Sequence, residues 1–454
     1  MENSKFKTEY KLKQHTMLLH FQAKPSSGEN VCLRASEVKP KLDRFILKKL
    51  GEIKTVKEKY SSWIQAEHLN GNDVAFKYRM TIKADKPEFI EPNRIPKVYY
   101  GNLNKLDPDK LHAVMFPNGV ALTITCFIPK LSDYIKKYIV EFFAVTNFGT
   151  MQNKGFGSFT IEGIDEETVI VDEETVIVAL KNNYDSKKCF RIAVNQSVLD
   201  NDAQKELFDT VKQVYSVMKS GSRVPFKHSY IYEYMHNEYK VNGERVNIGN
   251  EKAYMKKKKV SPNRMTNSWV KRNWERIDIL GVRMNDEKYC YVRALLGIGK
   301  EIKYITDDPD YFQVNRRGEI QYDRITNQPI PAKENITIVH VKNSIGKQYD
   351  DGSKKRIERC SSPIFFKIVN GVIYIVAGRI NKNIKGKYFS FKNKSTRGLN
   401  YRHNQTNGRV VLQVPNEFDI DDFMEKFVEF YNTDYLNCDH SGNQNFKNYH
   451  IEEV

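Results

Sequence analysis

The chain opens on alternation. Residues 5–22 place polar and apolar side chains in turn and then become apolar (YKLKQHTMLLHFQ), a pattern that predicts one long first strand. A turn-forming stretch with Pro25, Ser26, Ser27 and Gly28 follows. From Leu33 to Gly51 the period becomes helical. Val38, Leu42, Phe45, Ile46 and Leu50 share one face, with Ser36 as the expected N-cap and Gly51 as the stop. Pro40 fits a first turn, so the helix is expected to start near Glu37.

Short strand-like runs at 74–83 and 97–100 come next, then an apolar strand at 120–128 and an amphipathic helix from Leu131 to about Val145. The glycine-rich turn NFGTMQNKGFGSFTIEGI feeds a further strand. This order predicts an α+β, ferredoxin-like (RRM-like) unit with an antiparallel sheet and the glycine-rich loop after its second helix. Residues 165–171 and 172–178 repeat the heptapeptide DEETVIV, read here as a duplication that lengthens a hairpin or an exposed loop. A helix over 202–219 ends the first part.

A second apolar region begins near Ile277, with RALLGIG at 293–299 and clear strands at 337–341, 364–370 and 372–379. A final helix over 420–431 has Phe423, Phe427, Val428 and Phe430 on its apolar face, which reads as core packing or as a docking element. The expected organisation is therefore one ferredoxin-like half over 1–222, a connecting region over 223–276, and a second ferredoxin-like half over 277–454.

Charge changes this picture. The 454 residues carry 73 Lys and Arg against 56 Asp and Glu, a net charge of +17. Such a surplus favours polyanionic partners, although free use of lysine by an AT-rich genome would also produce it. The connecting region from Arg223 to Arg276 sharpens the first reading. It holds thirteen Lys and Arg, five Glu and no Asp, and Tyr230, Tyr232, Tyr234, Tyr239, Tyr254, Trp269 and Trp274 are interleaved. Cations that take a backbone and rings that stack on unpaired bases suit RNA; buried tyrosines beside exposed lysines are the structural alternative. The six cysteines are scattered, without paired spacing for a disulfide framework or a zinc site, and are expected to be free thiols. With no apolar signal core at the N-terminus and no apolar run long enough for a membrane span, the expectation is a cytoplasmic protein with no membrane partner.

Three segments resemble the CRISPR-associated RAMP superfamily, and within it the first subunit of the type III-B Cmr assembly. The strand HTMLLHFQ followed by LRASEVKPKLDRFI is similar to that family's strand and basic helix start, with Arg34, Ser36, Lys39, Leu42 and Arg44 at matching places; Met17 stands where proline is usual and Pro40 where glycine is usual. FGTMQNKGFGSF is similar to the family's glycine-rich loop through Gly149, Lys154, Gly155, Phe156, Gly157 and Ser158, with Asn153 and Lys154 in place of an arginine pair. ERCSSPIFFKI is similar to a strand start in the second half through Arg359, Ser362 and Pro363. The resemblance implies a subunit of a multisubunit effector complex, with guide RNA, target RNA and other RAMP subunits as partners and no cofactor.

The residues themselves point the same way. Glycines let a backbone approach phosphate closely with free N–H donors, and cations at a helix start favour anions. The candidate RNA-binding residues are Arg34, Lys39, Lys41, Arg44, Asn153, Lys154, Gly155, Phe156, Gly157, Lys256, Lys257, Arg264 and Arg359, with Arg34, Lys39, Arg44 and Lys154 expected on one basic surface. No metal or catalytic residue is assigned. His15 and His20 lie in the first strand, where His20 between Leu19 and Phe21 reads as a packed histidine, and Asp85, Asp107 and Asp109 have no distinguishing context. The expected function is non-catalytic target capture in antiviral defence. A metal-independent endoribonuclease of the same superfamily and an unrelated basic nucleic-acid-binding protein stay open.

Overall fold

The computed structural model describes residues 6–21, 33–69, 73–84, 87–91, 94–96, 111–194, 201–221, 228–241, 244–245, 248–249, 288–299, 301–305, 320–322, 327–330, 333–340, 357, 359–394, 409–441, 443 and 445–454. The fold is mixed α and β with largely antiparallel sheets. The first part contains β1 (Lys7–Gln14), β2 (Leu18–Phe21), α1 (Ala35–Leu50), α2 (Ile53–Lys59), β3 (Arg79–Ala84), β4 (Glu88–Ile90), β5 (Leu111–Met115), β6 (Val120–Thr125), α3 (Pro129–Val145), β7 (Phe159–Ile164), β8 (Glu167–Thr168), α4 (Glu173–Tyr184), β9 (Cys189–Ala193) and α5 (Asn201–Lys219). Next come α6 (Tyr230–Glu238) and the two-residue strands β10 (Lys240–Val241), β11 (Glu244–Arg245), β12 (Ile248–Gly249) and β13 (Lys288–Tyr289). The last part holds β14 (Glu301–Ile305), β15 (Lys333–His340), β16 (Ile364–Val369), β17 (Val372–Ala377), β18 (Tyr388–Lys394), β19 (Arg409–Gln413), α7 (Ile420–Phe430) and β20 (Glu452–Glu453).

The first sheet runs β3-β6-β1-β7-β8, all antiparallel. Inward residues of β1 alternate strictly with outward ones, so Tyr10 and Leu12 pack with Val38, Leu42 and Ile46 of α1 and with Ile135 and Ile139 of α3. The predicted single first strand is two strands. The chain leaves the first sheet at His15–Met17, and β2 joins a separate sheet, β2-β5-β4. Polar groups at the bend bond to the glycine-rich loop instead of continuing a ladder: the His15 N–H donates to the Ser158 carbonyl at 2.9 Å, and the Thr16 hydroxyl donates to the Gly155 carbonyl at 2.6 Å. Alternation reads strand in both pieces and cannot see the bend.

Two further four-stranded sheets run β14-β15-β18-β19 and β16-β17-β9-β20. The second draws β9 from before residue 222 and lies between two hydrophobic cores. Phe365, Val369, Tyr374 and Val376 face the core around α1 and α3, whereas Phe366, Ile368, Ile373 and Ile375 face the core around α5 and α7. Burial on both faces explains the near-continuous apolar runs IFFKIV and VIYIVA. Phe423 and Phe427 of α7 are fully buried, so that face packs in the core. Tyr230 stacks on Phe430 at 4.7 Å, and the Tyr234 hydroxyl donates to Asp422 at 2.7 Å, so these two tyrosines bind α6 to α7. Tyr254, Trp269 and Trp274 lie outside the described residues. Among the described residues no cysteine forms a disulfide, and no helix is long and apolar enough to cross a membrane.

The tandem heptapeptide takes two conformations. The first copy turns at Asp165 and Glu166 and pairs Glu167 and Thr168 with β7, but the hairpin ends there, so the duplication does not lengthen it. The second copy starts a helix. Asp172 caps α4 by accepting from the Thr175 N–H at 2.8 Å, and Val176 is buried.

Candidate nucleic-acid interface

The start of α1, at Ala35, lies two residues earlier than its proline suggests. Arg34 occupies the N-cap in an extended conformation, its carbonyl accepts from the N–H groups of Glu37 and Val38, and Ser36 and Pro40 lie inside the helix on its exposed side. Pro40 deprives the helix of the bond to the Ser36 carbonyl, and both residues lie on its exposed side.

The three motif segments meet. Glu37 accepts from the Gly149 N–H at 2.7 Å, and the Lys41 ammonium donates to Glu37 at 2.9 Å, to the Asn147 carbonyl at 3.0 Å and to Gln152 at 2.8 Å. Across the loop, Asn147 donates to the Phe366 carbonyl at 2.9 Å, the Phe366 N–H donates to the Asn153 carbonyl at 3.2 Å, and the Ser158 hydroxyl donates to the Ile368 carbonyl at 2.6 Å. Helix start, glycine loop and second-half strand therefore form one hydrogen-bonded unit.

That unit consumes much of what was expected to face RNA. Lys154 is buried, its amine 2.6 Å from the centroid of the Tyr215 ring and without a hydrogen-bond acceptor, and burial and then the charge of Lys219 hold its pKa well below the ordinary lysine value. It therefore does not share a surface with Arg34 and Arg44. A sequence position cannot reveal this, because the burial comes from α5 and β16, far away in the chain. Phe156 is buried and stacks on Phe208 at 3.8 Å. The glycines serve close packing: a Cβ on Gly157 would lie 2.1 Å from the Phe148 carbonyl oxygen, and one on Gly155 would lie 2.7 Å from Ile368. The N–H groups of Gly149, Thr150, Lys154, Gly155, Gly157 and Ser158 all donate within the chain, so they are not open to phosphate.

The remaining candidates divide. Lys39 donates to Asp43 at 2.7 Å and to the Phe76 carbonyl at 3.1 Å, and lies over Tyr78. Lys41 is tied as above, and burial lowers its pKa despite Glu37. Arg34 is half-buried, Arg44 is exposed with its Nε on the Pro40 carbonyl, and Arg359 is exposed. Asn153 donates to the Ser362 carbonyl at 3.4 Å and lines a polar pocket of about 320 Å³ with Asn183, Ser361, Arg379 and Asn381. The sequence singled out none of these last four; a pocket assembled from α4 and the β16 and β17 ends has no local signature. Lys256, Lys257 and Arg264 lie outside the described residues, as do Asp85, Asp107 and Asp109.

His15 is sealed. Its Nε2 bonds Thr160 at 2.8 Å, its Nδ1 accepts from the Asn370 N–H at 3.2 Å, and burial, with Lys367 and Lys13 nearby, pushes its pKa well down. A histidine that is neutral and closed to substrate cannot shuttle a proton to RNA. His20 is half-buried and sits opposite His112 in the β2–β5 ladder.

No curated protein matches the chain. Among solved structures it is similar to a chain of the cryo-EM structure of the Type III-B Cmr-beta bound to cognate target RNA (16% identity, 35% of this chain and 59% of that chain, TM-score 0.24). It is also similar to the crystal structure of Cmr1 from Pyrococcus furiosus in its apo form (10% identity, 53% of this chain and 79% of that chain, TM-score 0.31). The chain thus spans 59% of the length of the first of these. The Cmr1 N-terminal domain matches residues 5–222, and the Cmr1 C-terminal domain matches residues 226–449. With both domains matched in order, the chain belongs to the Cmr1 family.

Proposed function

We propose that the chain is a non-catalytic, RNA-binding subunit of a type III-B CRISPR effector ribonucleoprotein, contacting guide and target RNA beside other RAMP subunits in cytoplasmic antiviral defence. The observation that carries this reading is the match to both Cmr1 domains along the chain. The net charge of +17 supports a polyanionic partner. The division into halves at 1–222 and 277–454 is proposed with it. For the first half, the β3-β6-β1-β7 order with α1 and α3 on one face supports a ferredoxin-like unit.

In this reading Arg34, Arg44, Arg359 and Asn153 touch RNA, with Lys256, Lys257 and Arg264 from the connecting region. Lys39, Lys41, Lys154, Gly155, Phe156 and Gly157 hold the surface in shape from beneath.

The test is binding of labelled single-stranded RNA by the full chain across a salt series. Arg34→Glu with Arg44→Glu should weaken binding and flatten its salt dependence by about 0.7 per phosphate that is no longer neutralised. Unchanged affinity and slope would remove these residues from the interface. Cleavage of repeat RNA by the purified chain, abolished by His20→Ala, would replace the reading with an endoribonuclease.

A further inference from the structure

On the face of the first sheet turned away from α1 and α3, the described outward residues of β1, β3 and β6 are exposed or half-buried. Outward residues of β1 are Lys7, Glu9, Lys11 and Lys13. The register sets them in rows across three strands: Lys7, Thr125 and Arg79; Glu9, Thr123 and Thr81; Lys11, Ala121 and Lys83. The central strand β6 thus carries only Ala and Thr on this side, between two strands that carry long cationic side chains. Adjacent strands are about 4.8 Å apart, so the flanking cations stand about 10 Å apart across a shallow trough.

The charge of this face is only partly cancelled internally. Glu9 is paired with Lys7, and Glu162 with Lys11 at 2.8 Å. Arg79, Lys83 and Lys13 have no carboxylate partner among the described residues. The trough ends at two rings. Phe127 continues the alternation of β6 one residue past the inward Cys126, is 73% exposed, and lies 5.3 Å from Phe6, itself 37% exposed. Phe127 thus presents an open aromatic face beside the basic sheet, on which a base can stack.

We infer that this sheet face is a second RNA-contact surface, distinct from the α1 and glycine-loop surface. The backbone of an unpaired strand runs along the trough between β1 and β3, and a base stacks on the Phe127–Phe6 pair. Charge complementarity favours nucleic acid over a docked protein, since the trough offers cations and hydroxyls in place of an apolar patch. The exposed ring favours a single strand over a duplex, whose bases are already stacked on one another. The inference rests on the proposed RNA-binding function but concerns different residues.

The experiment uses the full chain and a short, unstructured, labelled oligouridylate, with binding followed by fluorescence anisotropy across a salt series. Arg79→Glu with Lys83→Glu should weaken binding about tenfold or more and flatten the salt dependence by about 0.7 for each phosphate left without its cation. Phe127→Ala should weaken binding about fivefold or more with the salt slope unchanged, because stacking releases no counterions. All three side chains are solvent-facing, and unchanged thermal unfolding checks that the variants fold; Arg79→Gln with Lys83→Gln provides a milder version. If these variants bind like the wild type while Arg34→Glu with Arg44→Glu is impaired, the sheet face is excluded and the proposed function stands. If the wild type does not bind the oligonucleotide, both fall. Loss of binding by the charge variants with no effect of Phe127→Ala would overturn the stacking role.

Discussion

The Glu37 carboxylate accepts a hydrogen bond from the Gly149 backbone N–H at 2.7 Å, and so joins the first turn of α1 to a glycine loop more than a hundred residues away. The same oxygen takes the Lys41 ammonium at 2.9 Å. One side chain therefore holds two of the three motif segments together. Glu37→Ala should lower stability by about 2 kcal/mol, since it leaves the Gly149 N–H without its acceptor and takes the only carboxylate from the three acceptors of Lys41. Denaturant unfolding measures this; a loss below about 0.5 kcal/mol would mean that the junction is held by other bonds.

Two buried lysines should answer the same substitution in opposite ways. Lys367 donates to the carbonyls of Phe143, Thr146 and Phe159 at 2.8, 3.0 and 3.0 Å, so Lys367→Met strands three buried acceptors and should cost about 2 kcal/mol or more. Lys154 has no acceptor and rests on Tyr215, so Lys154→Met should be neutral or stabilising. Unfolding midpoints of the two variants decide the matter, and equal losses would contradict it.

Glycines in and out of the loop should also differ. Gly157 has φ +66°, and an added Cβ would strike the Phe148 carbonyl oxygen, so Gly157→Ala should destabilise by about 3 kcal/mol or more. Gly51, with φ +116°, has nothing within 4 Å of its added Cβ, so Gly51→Ala should cost about 1–2 kcal/mol from backbone strain alone. Comparable losses from the two would show that sterics at the loop are not what requires Gly157.

Lys219 gives a pH signature. Its ammonium donates to the Leu296 and Gly297 carbonyls at 2.9 and 2.7 Å, and burial, then the Arg293 charge, push its pKa down to about 7 from an ordinary 10.5. Above pH 7 the unfolded chain keeps a proton on this amine that the folded chain releases, so stability should rise with pH through this window. The gain expected from this group is on the order of 1–2 kcal/mol between pH 7 and 9, and Lys219→Met should flatten that rise. Identical pH profiles for wild type and variant would show that the amine stays charged in the fold.

Local pattern was sufficient for the elements whose environment repeats at their own period. The helical face of Val38, Leu42, Phe45 and Ile46, the helix over 201–219 and the paired apolar strands at 364–377 were readable because each buries a face that its own spacing defines. The three motif segments were readable as residue types at fixed spacing. What those residues touch was not. Lys154 and Arg44 are both cations beside motif glycine or proline, yet one is enclosed by Tyr215 and Phe366 and the other faces solvent, a difference made by strands and helices distant in sequence. The duplicated heptapeptide makes the point most directly. DEETVIV closes a hairpin where Asp165 accepts from the Glu9 N–H at 2.7 Å, and the same seven residues begin a helix where Asp172 accepts from the Thr175 N–H. The sequence alone determined that each copy opens on an aspartate, a residue type that readily accepts a backbone N–H. Only the tertiary structure decided which N–H it was, because β1 stands within reach of the first copy and the second must cap itself.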